Sequence, residues 1–272
     1  MTGYDGPRAE VGVIGGSGFY SLLSDAAQVS VPTPWGEPSE PPAIGILGGR
    51  AVAFLPRHGR DHRFPPHRVP YRANLWALHA VGVRQVLAPS AVGALRPDLA
   101  PGTLVVPDQV VDRTWGRAHT FYDEVPPVHV AFADPYCPRG RAATLRAAYD
   151  REVRTADGGT LVVINGPRFS SRAESRWHAA QGWSIVGMTA MPEAALAREL
   201  ALCYTSLSLV TDADAGVEGA GGVTHDEVLR VFADNVDRLR ALVADVVEAL
   251  PRDGDCSCRR SLDGVHVPLE LP

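Results

Sequence analysis

The sequence predicts a single α/β domain. Short apolar runs alternate along the chain with longer segments of helical periodicity, a pattern typical of α/β folds. Most of the apolar runs end in small, hydroxyl-bearing or charged residues, and in such folds ligands bind at the carboxyl ends of strands. No repeat or linker separates a second unit, so we expect one domain over 1–272 with a core over about 11–250. We expect the aperiodic tail, 251–272, to be partly mobile.

Composition and charge exclude several classes of function. Hydrophobic residues make up 45% of the chain and charged residues 21%, the formal net charge is −5, and the arginines are scattered. Neither a nucleic-acid surface nor a membrane patch is indicated. No apolar run has the length of a bilayer-spanning helix, and the polar residues 1–10 do not resemble a signal peptide. We therefore expect a cytoplasmic protein that binds neither nucleic acid nor membrane.

The first predicted strand, 11–14, runs into a glycine turn that contains Ser17. Glycines let the backbone approach a ligand closely, and their amides together with a serine hydroxyl form an anion-binding nest. The turn lacks the Gly-Lys-Ser/Thr of a nucleotide-binding loop and the full dinucleotide fingerprint. A plain tight turn is an equally good interpretation of these residues alone.

Two further predicted strands, 44–47 and 51–55, lead into a basic segment. Residues 57–68 contain four arginines and three histidines, beginning with Arg57 and His58. An arginine guanidinium offers a fork of donors to an oxyanion, and histidine is a second donor that can share its charge. The segment therefore indicates anion binding, and the alternative is a solvated basic loop.

The middle of the chain continues the alternation. The predicted elements, in order, are a helix over 71–81, a strand over 85–89, a small-residue turn over 90–95, strands over 102–106 and 110–111, a polar and aromatic loop over 112–121, and a helix over 142–151. The turn over 90–95 is the third place where a predicted strand opens into small residues.

The second half of the chain begins with the cleanest strand pattern. The predicted elements, in order, are a strand over 160–164, a helix that starts with capping residues within 170–175, a strand over 184–186, a helix over 193–202, and a long amphipathic helix over 224–250 that Pro251 ends. Hydroxyls followed by a glutamate at capping spacing are typical of a helix start.

An apolar run over 207–210 breaks abruptly into two carboxylates, Asp212 and Asp214. A run of this length suits a buried strand, so we expect both acids at the carboxyl end of that strand, where ligands bind. Because aspartate is a common turn former, an Asx turn that closes the strand is an equally good interpretation of the pair taken alone.

The four cysteines do not predict a metal site. They are Cys137, Cys203, Cys256 and Cys258. The spacing of the last two is too tight for half of a zinc knuckle, and the other two are isolated in the sequence. We expect small buried side chains or inert thiols, the alternative being a structural disulfide, which is unusual in a cytosol.

Six motifs identify a resemblance. They are IGGSGF, RHGRDHRFPPHRVPYRANLWAL, SAVGAL, INGPRFSSRAES, GMTAMPEAALARE and TDADAG. In this order and spacing they resemble the trimeric purine nucleoside phosphorylase family, and within it the methylthioadenosine phosphorylase branch. The resemblance covers about 11–250. It implies a phosphorylase/hydrolase-like fold with a central mixed β-sheet, partly barrel-like, flanked by helices.

The resemblance also implies a reaction and a phosphate site. In this family phosphate attacks the anomeric carbon of a purine nucleoside and displaces the base, with phosphate as a co-substrate and with no cofactor or metal. The matching phosphate-binding positions are Ser17, Arg57, His58, Ser90, Ala91 and Thr189. Each offers a hydroxyl, a backbone amide or a cation, as an anion clamp requires. The family resemblance further implies a homotrimer, or a hexamer of two trimers, with sites at subunit borders.

The base and ribose positions follow from the same resemblance. Met188 matches a residue that packs on the ribose, and Phe169 one that packs on the base. Asp212 is the candidate acid that protonates the purine at N7, which requires a raised pKa. Asp214 would accept from the 6-amino group or hold Asp212 in place.

The predicted base is a 6-aminopurine. Relatives that use 6-oxopurines carry Asn at the position of Asp212 and Glu at the position of Ser170, so this chain has the adenine type at both. A carboxylate facing a carbonyl would leave buried groups unpaired, at a cost of roughly 1–3 kcal/mol each.

Histidines determine the expectations for the 5′ end of the ribose. The resemblance places His62 there, together with His129 from a neighbouring copy of the chain. His225 stands where methylthioadenosine phosphorylases typically carry an apolar residue and where the nucleoside branch has a histidine that meets the 5′-hydroxyl. The substrate could therefore be plain adenosine, a methylthio compound tolerated beside an imidazole, or another 5′-derivative. Alternatively, His225 only caps its helix.

The leading hypothesis is phosphorolysis of 5′-methylthioadenosine or a close 5′-modified adenosine. Two stretches, RFPPH and GMTAMPEAALAREL, also resemble bacterial methylthioinosine phosphorylases, so a 6-oxopurine or general purine nucleoside phosphorylase is the alternative. A non-catalytic nucleoside-binding protein is the remote one, because it would not need the complete set of phosphate and acid positions.

The resemblance extends to the cysteines. Some thermophilic methylthioadenosine phosphorylases carry a C-terminal CxC, like Cys256 and Cys258 here, that can form a strained disulfide. They also carry cysteines at the positions of Cys137 and Cys203. We expect reduced thiols in this chain.

Overall fold

A computed structural model describes residues 4–19, 22–23, 25–215 and 223–272. Its strands are β1 (Val11–Gly15), β2 (Ala27–Gln28), β3 (Ala43–Leu47), β4 (Arg50–Pro56), β5 (Gln85–Ala94), β6 (Leu104–Val106), β7 (Gln109–Arg113), β8 (Thr155–Asp157), β9 (Thr160–Ile164), β10 (Ile185–Gly187) and β11 (Cys203–Ala213). Its α-helices are α1 (Tyr71–Ala80), α2 (Pro138–Asp150), α3 (Arg172–Ala180), α4 (Ala190–Glu199) and α5 (His225–Ala249). The predicted α/β class is confirmed.

The strands form one mixed sheet that branches at β5. The main path runs β2-β3-β4-β1-β5-β10-β9-β7, while β11 leaves it at β5 and continues to β6 and β8. The first residues of β5 pair with β1 in parallel, its last residues pair antiparallel with β10, and β11 pairs in parallel along nearly its whole length. This double pairing curls the sheet around β5, in agreement with the expected central mixed sheet flanked by helices.

Helices cover both faces of the sheet. Alternate residues of a strand point to opposite faces, and in β4 Ala53 and Leu55 join the core cluster that contains α1 and α4, whereas Val52 and Phe54 join the cluster that contains α2 and α5. The apolar stripe of α5 that packs on the sheet consists of Leu239, Leu242, Val243, Val246 and Val247. The sheet is therefore the middle layer. The helices cover its faces, so binding sites can form at the ends of its strands.

The largest departure from the predicted elements is at 90–95. The predicted turn is wrong, because β5 continues to Ala94 and pairs with β11 beyond Ser90, with Ser90 opposite Ser208 and Ala91 opposite Leu209. Small residues are typical of turns, but here the ladder with β11 satisfies the backbone groups and overrides that local preference.

Other boundaries shift for local reasons. Helix α2 begins at Pro138, ahead of the predicted start, because proline suits the first helical position and Cys137 caps it. Helix α4 begins at Ala190, ahead of 193, with a break at Met191 before Pro192. In α3, Ser171 and Glu174 form the predicted capping box.

The C-terminal tail follows the surface of the core. It contains a short 3₁₀ helix, Ser257–Arg260, and the apolar side chains of Leu262, Val265 and Leu269 pack against the larger core cluster. Among the helices of the described residues, none combines the length and hydropathy needed to cross a membrane.

Candidate active site

The carboxyl ends of four parallel strands meet at one edge of the sheet. Strands β1, β4, β5 and β11 run in the same direction, with Gly15 opposite Pro56 and Asp212 opposite Gly93. The amide of Arg57 donates to the carbonyl of Gly15 at 2.9 Å. The glycine turn after β1, the basic segment after β4 and the acidic end of β11 are therefore neighbours, as expected for a ligand site in an α/β fold.

Arg57 is buried and paired. Its Nε and Nη2 donate to the two carboxylate oxygens of Glu193 at 2.8 and 2.9 Å, and it also donates to the carbonyls of Ile14 and Pro89. Burial alone would lower the pKa of Arg57, but the charge and hydrogen bonds of Glu193 outweigh it and raise that pKa. Within the described part of the chain these bonds use four of the five guanidinium N–H groups, leaving one on Nη1 for an anion.

His58 is neutral and oriented. Its Nδ1 lies 2.8 Å from the carbonyl of Phe64, and because a carbonyl only accepts, Nδ1 carries the proton and Nε2 keeps its lone pair. Burial, followed by the charge of Arg57, lowers the pKa of His58 to about 4. The ring stacks on His62 at 4.4 Å between centroids.

The remaining phosphate positions lie around this pair. Thr189 is buried directly before α4, and its side chain makes no capping hydrogen bond within the described part of the chain, so its hydroxyl is available to an anion. Ser90 and Ala91 are partly buried in β5. Ser17 begins a 3₁₀ turn, and its side chain lies outside the described residues.

The two acids of β11 are buried at its end rather than in an exposed turn. Asp212 and Asp214 are 6% and 2% exposed, and Oδ2 of Asp212 accepts from the Thr211 hydroxyl at 2.8 Å. A β-bulge between Val210 and Asp212 aims this end of the strand. Gly93 faces both acids, because a methyl group there would lie 3.0 Å from Oδ1 of Asp212 and 3.4 Å from Cβ of Asp214.

Two buried polar atoms of the predicted base-binding residues have no hydrogen-bond partner among the described residues. They are Oδ2 of Asp214 and the hydroxyl oxygen of Ser170. An unpaired buried acceptor or hydroxyl costs about 1–3 kcal/mol, so such atoms are expected where a ligand supplies the missing partner. Both belong to the predicted base-binding set.

The loop after β9 brings the base and ribose positions together. Gly166 adopts φ +61°, and a methyl group on it would lie 2.6 Å from the sulfur of Met188 and 3.4 Å from Pro66. Only glycine therefore allows the loop to approach Met188 this closely. Phe169, on the same loop, is partly buried.

Arg117 holds the loop after β9 next to Met188, and no sequence pattern predicted this role. It donates to the carbonyls of Met188, Met191 and Asn165 at 2.9, 2.5 and 2.8 Å, and to the hydroxyl of Tyr71 at 3.2 Å. Burial lowers the pKa of Arg117. An isolated arginine in a polar loop has no sequence pattern that distinguishes it, so only the tertiary contacts reveal its positioning role.

Of the three predicted 5′ histidines, the structure brings two together. Partial burial, followed by the charge of His225, lowers the pKa of His62, so the two imidazoles lie within electrostatic range of each other. His225 is the first residue of α5, which leaves the capping position to Thr224. His129 is exposed on the long segment between β7 and α2, and no described contact links it to the other two.

The four cysteines are free and buried, as expected, but their clustering was not predicted. All four cysteines are buried, and their sulfur atoms lie within 4.8 Å of one another. The spacing in the sequence does not reveal this, because three separate segments contribute. The cluster lies at the amino end of β11, roughly 30 Å along the strand from Asp212 at about 3.3 Å per residue.

A large surface cavity lies away from all of these residues. It has a volume of about 970 Å³ and is lined in part by Pro101, Tyr149 and Arg238. None of the residues seen to line it belongs to the predicted site. Its buried polar residue Asn235 already donates to the carbonyl of Val231 and accepts from Arg238.

Comparison with known proteins gives consistent results. Residues 10–248 match the family model of the phosphorylase superfamily. The chain is 62% identical over 275 residues to a purine nucleoside phosphorylase of Streptomyces coelicolor, covering 97% of this chain and 98% of the relative. It is 56% identical over 263 residues to an S-methyl-5′-thioadenosine phosphorylase of Mycolicibacterium smegmatis, covering 96% and 99%.

Solved structures resemble the chain over most of its length. A methylthioadenosine phosphorylase from an antarctic soil metagenomic library superimposes with a TM-score of 0.89 at 38% identity, over 95% of this chain and 92% of the other. A methylthioadenosine phosphorylase from Schistosoma mansoni in complex with adenine gives a TM-score of 0.82 at 39% identity, over 88% and 91%.

Proposed function

The chain belongs to the phosphorylase superfamily, and we propose that it cleaves the glycosidic bond of 5′-methylthioadenosine, or a close 5′-modified adenosine, with phosphate. The products are adenine and 5-methylthioribose 1-phosphate. The observation that carries this proposal is the buried acid pair at the end of β11, where Oδ2 of Asp214 has no hydrogen-bond partner among the described residues. The relatives named methylthioadenosine phosphorylase support the substrate.

The reaction is a displacement at the anomeric carbon. A phosphate oxygen forms the new bond to C1′ while the bond from C1′ to N9 breaks, and the electron pair of that bond moves into the purine. A proton from the Asp212 carboxyl reaches N7 and neutralises the departing base. The balance requires no electron acceptor, so phosphate as co-substrate, with no cofactor, suffices.

The phosphate is held on the side of β1, β4 and α4. His58 presents the lone pair of Nε2, which accepts a hydrogen bond from a phosphate hydroxyl, and Arg57 supplies its remaining N–H from a fixed position. Thr189 adds a hydroxyl. Ser17, Ser90 and Ala91 complete the clamp with hydroxyls and backbone amides.

The base is held on the side of β9 and β11. Asp214 accepts a hydrogen bond from the 6-amino group of adenine, and the Ser170 hydroxyl meets the ring edge. Phe169 packs on the base and Met188 on the ribose. A 6-oxopurine would set a carbonyl against a carboxylate, which disfavours it by leaving buried groups unpaired.

In this proposal the 5′ pocket is completed by a neighbouring copy of the chain. His62 and His225 lie beside the 5′ substituent, and His129 reaches it from a neighbouring copy of the chain. Its exposure on a long loop fits that role. A homotrimer, alone or paired as a hexamer, would supply this contact to each site. We further propose that residues 1–272 form a single nucleoside phosphorylase domain and that the enzyme is cytoplasmic.

A general purine nucleoside phosphorylase is the second candidate. The relative that is 62% identical carries that name, and an imidazole pair at the 5′ end suits a hydroxyl better than a methylthio group. A methylthioinosine phosphorylase is the third candidate, because the chain shares the motifs RFPPH and GMTAMPEAALAREL with those enzymes.

The test is release of free base from methylthioadenosine, adenosine, methylthioinosine and inosine, each with and without phosphate. We expect phosphate-dependent release, fastest from methylthioadenosine. Faster turnover of adenosine selects the second candidate, and faster turnover of the inosine pair overturns the base assignment. Base release that ignores phosphate indicates a hydrolase, and no turnover at all indicates a nucleoside-binding protein.

A further inference from the structure

Four cysteines from three separate segments meet at the amino end of β11. Cys137 precedes α2, Cys203 is the first residue of β11, and Cys256 and Cys258 come from the tail. Their exposures are 1%, 6%, 7% and 1%. The four sulfur atoms lie within 4.8 Å of one another, which is a closed set of thiols, screened from solvent.

The spacing of the sulfur atoms fits a tetrahedral metal centre. Zinc binds thiolate at about 2.3 Å, so the sulfur atoms of a four-cysteine site stand about 3.8 Å apart. The sulfur atoms of Cys137 and Cys256 are 3.5 Å apart, and all four sulfur atoms lie within 4.8 Å of one another. Four sulfur ligands are typical of zinc or iron, and zinc binds four cysteines in structural sites without any redox chemistry.

Positively charged and hydrogen-bonding groups surround the cluster. The amide of Gly140, in the first turn of α2, lies 3.4 Å from the sulfur of Cys137 as a donor, and Nη2 of Arg198 lies 3.9 Å from the sulfur of Cys258. The amino end of a helix and an arginine both stabilise thiolate. A disulfide sulfur carries no charge, so these surroundings favour thiolates over two disulfides.

A path from solvent leads to the cluster. A cavity of about 110 Å³ is lined by Cys137, Cys203 and Cys256. Its charged lining residues are two acids and four arginines, Glu10, Asp253, Arg84, Arg139, Arg252 and Arg259. The arginines favour thiolates over thiols, and a divalent ion could reach the sulfur atoms through this cavity. An entry path and a complete ligand set are what a metal site needs.

We propose that Cys137, Cys203, Cys256 and Cys258 bind one structural zinc ion that fastens the C-terminal tail to the core. Binding converts four thiols to thiolates and releases their protons, with no oxidant involved. No open position remains for a substrate, and the site is at the opposite end of β11 from Asp212. The ion therefore stabilises the fold and takes no part in the reaction.

The tail explains what such an ion would hold. Leu262, Val265 and Leu269 cover part of the larger core cluster, and the hydroxyl of Ser261 donates to the carbonyl of Arg198 at 2.8 Å. The two cysteine ligands of the tail directly precede these contacts. A zinc ion at this point would anchor the covering segment at its start.

The direct test is metal analysis of the full chain, purified without oxygen, added thiols or chelators. We expect one zinc per chain and, after production in cobalt medium, the sulfur-to-cobalt charge-transfer and visible bands of tetrahedral cobalt thiolate. Cys256→Ser and Cys258→Ser should each lose most of the metal, whereas the matched control Ser257→Ala, an exposed residue between them, should keep it.

Two results would overturn the proposal. One is zinc-free chain with four titratable thiols, which shows a cluster of ordinary cysteines. The other is zinc-free chain whose intact mass lacks the hydrogens that two disulfides remove. Both are measured on the unmodified chain, so the proposal stays testable even if a cysteine variant fails to fold.

Discussion

The two ends of β11 differ in how completely their polar atoms are paired. At the carboxyl end, Asp214 has a buried carboxylate oxygen without a partner among the described residues. At the amino end, the sulfur atoms of Cys203 and three other cysteines lie within 4.8 Å of one another. Two kinds of candidate site are therefore recognised by different features. A single buried polar atom without a partner marks the first, and several ligand atoms of one type close together mark the second.

Replacing Asp212, the acid at the carboxyl end of β11, should reduce activity most. Asp212→Asn should lower kcat/KM for adenosine-type nucleosides by about 10²–10⁴-fold, the usual contribution of a general acid. Turnover of inosine should rise relative to adenosine, because the amide can donate to a 6-oxo group. Steady-state kinetics on both nucleosides measure this.

The matched control for that variant is Asp263→Asn, at an exposed aspartate of the tail. It should leave both rates unchanged. If Asp212→Asn keeps the selectivity of the unmodified enzyme, Asp212 has no part in reading or protonating the base.

The next largest effect is expected from breaking the buried ion pair between Arg57 and Glu193. Glu193 is fully buried, pairs with Arg57 and accepts from the Tyr204 hydroxyl at 2.8 Å. Glu193→Gln leaves the buried guanidinium without its counter-charge, which should cost about 3–5 kcal/mol of unfolding free energy. Urea unfolding measures the loss, and Glu37→Gln, at an exposed glutamate, should cost nothing measurable. Equal stability of the two variants would mean that the pair does not hold Arg57.

A smaller effect concerns the pH dependence of stability. His58 has a pKa of about 4 in the folded chain against an ordinary value of 6.5, so the unfolded chain binds the proton more tightly. The stability that neutral His58 contributes is present above about pH 6.5 and is lost as the pH falls through 4.

Replacing His58 by Gln should remove up to one proton from the slope of unfolding free energy against pH in this window. Urea unfolding at several pH values gives the slope. His79 also has a pKa lowered to about 4, mainly by burial, so His79→Gln should remove a similar share of the slope. An unchanged slope in the His58 variant would show that its imidazole is not buried neutral.

The smallest effect is expected on the preference for the 5′ substituent of the substrate. His225→Val should shift the ratio of kcat/KM for methylthioadenosine over adenosine upward by roughly 10-fold, the order that one apolar contact contributes to discrimination. Competition between the two substrates measures the ratio. An unaltered ratio would leave His225 with only its place at the start of α5.

Much of the fold follows from local sequence pattern. The apolar run over 160–164 coincides with β9, and the capping residues Ser171 and Glu174 mark the start of α3 as expected. Such features depend on neighbours in the sequence, which is why patterns reveal them. The continuation of β5 through Ser90 depends on its pairing with β11 instead, and small residues gave the opposite expectation.

The candidate site also contains residues that the sequence pattern predicted and residues that it did not. Strand-end motifs located Arg57, His58 and the acids of β11, because each stands where an apolar run stops. Arg117 had no such marker, since its role depends on carbonyls from two separate segments, at Asn165 after β9 and at Met188 and Met191 between β10 and the body of α4. The cysteine cluster likewise unites residues more than a hundred positions apart, and no spacing rule covers that distance.

Phosphorus NMR of the enzyme with methylthioadenosine and inorganic phosphate distinguishes phosphorolysis from hydrolysis in one experiment. We predict that the inorganic phosphate signal falls as a sugar 1-phosphate signal rises, with one adenine released for each phosphate consumed. Release of adenine with the phosphate signal unchanged would contradict it, because the carboxyl end of β11 would then serve hydrolysis rather than phosphorolysis.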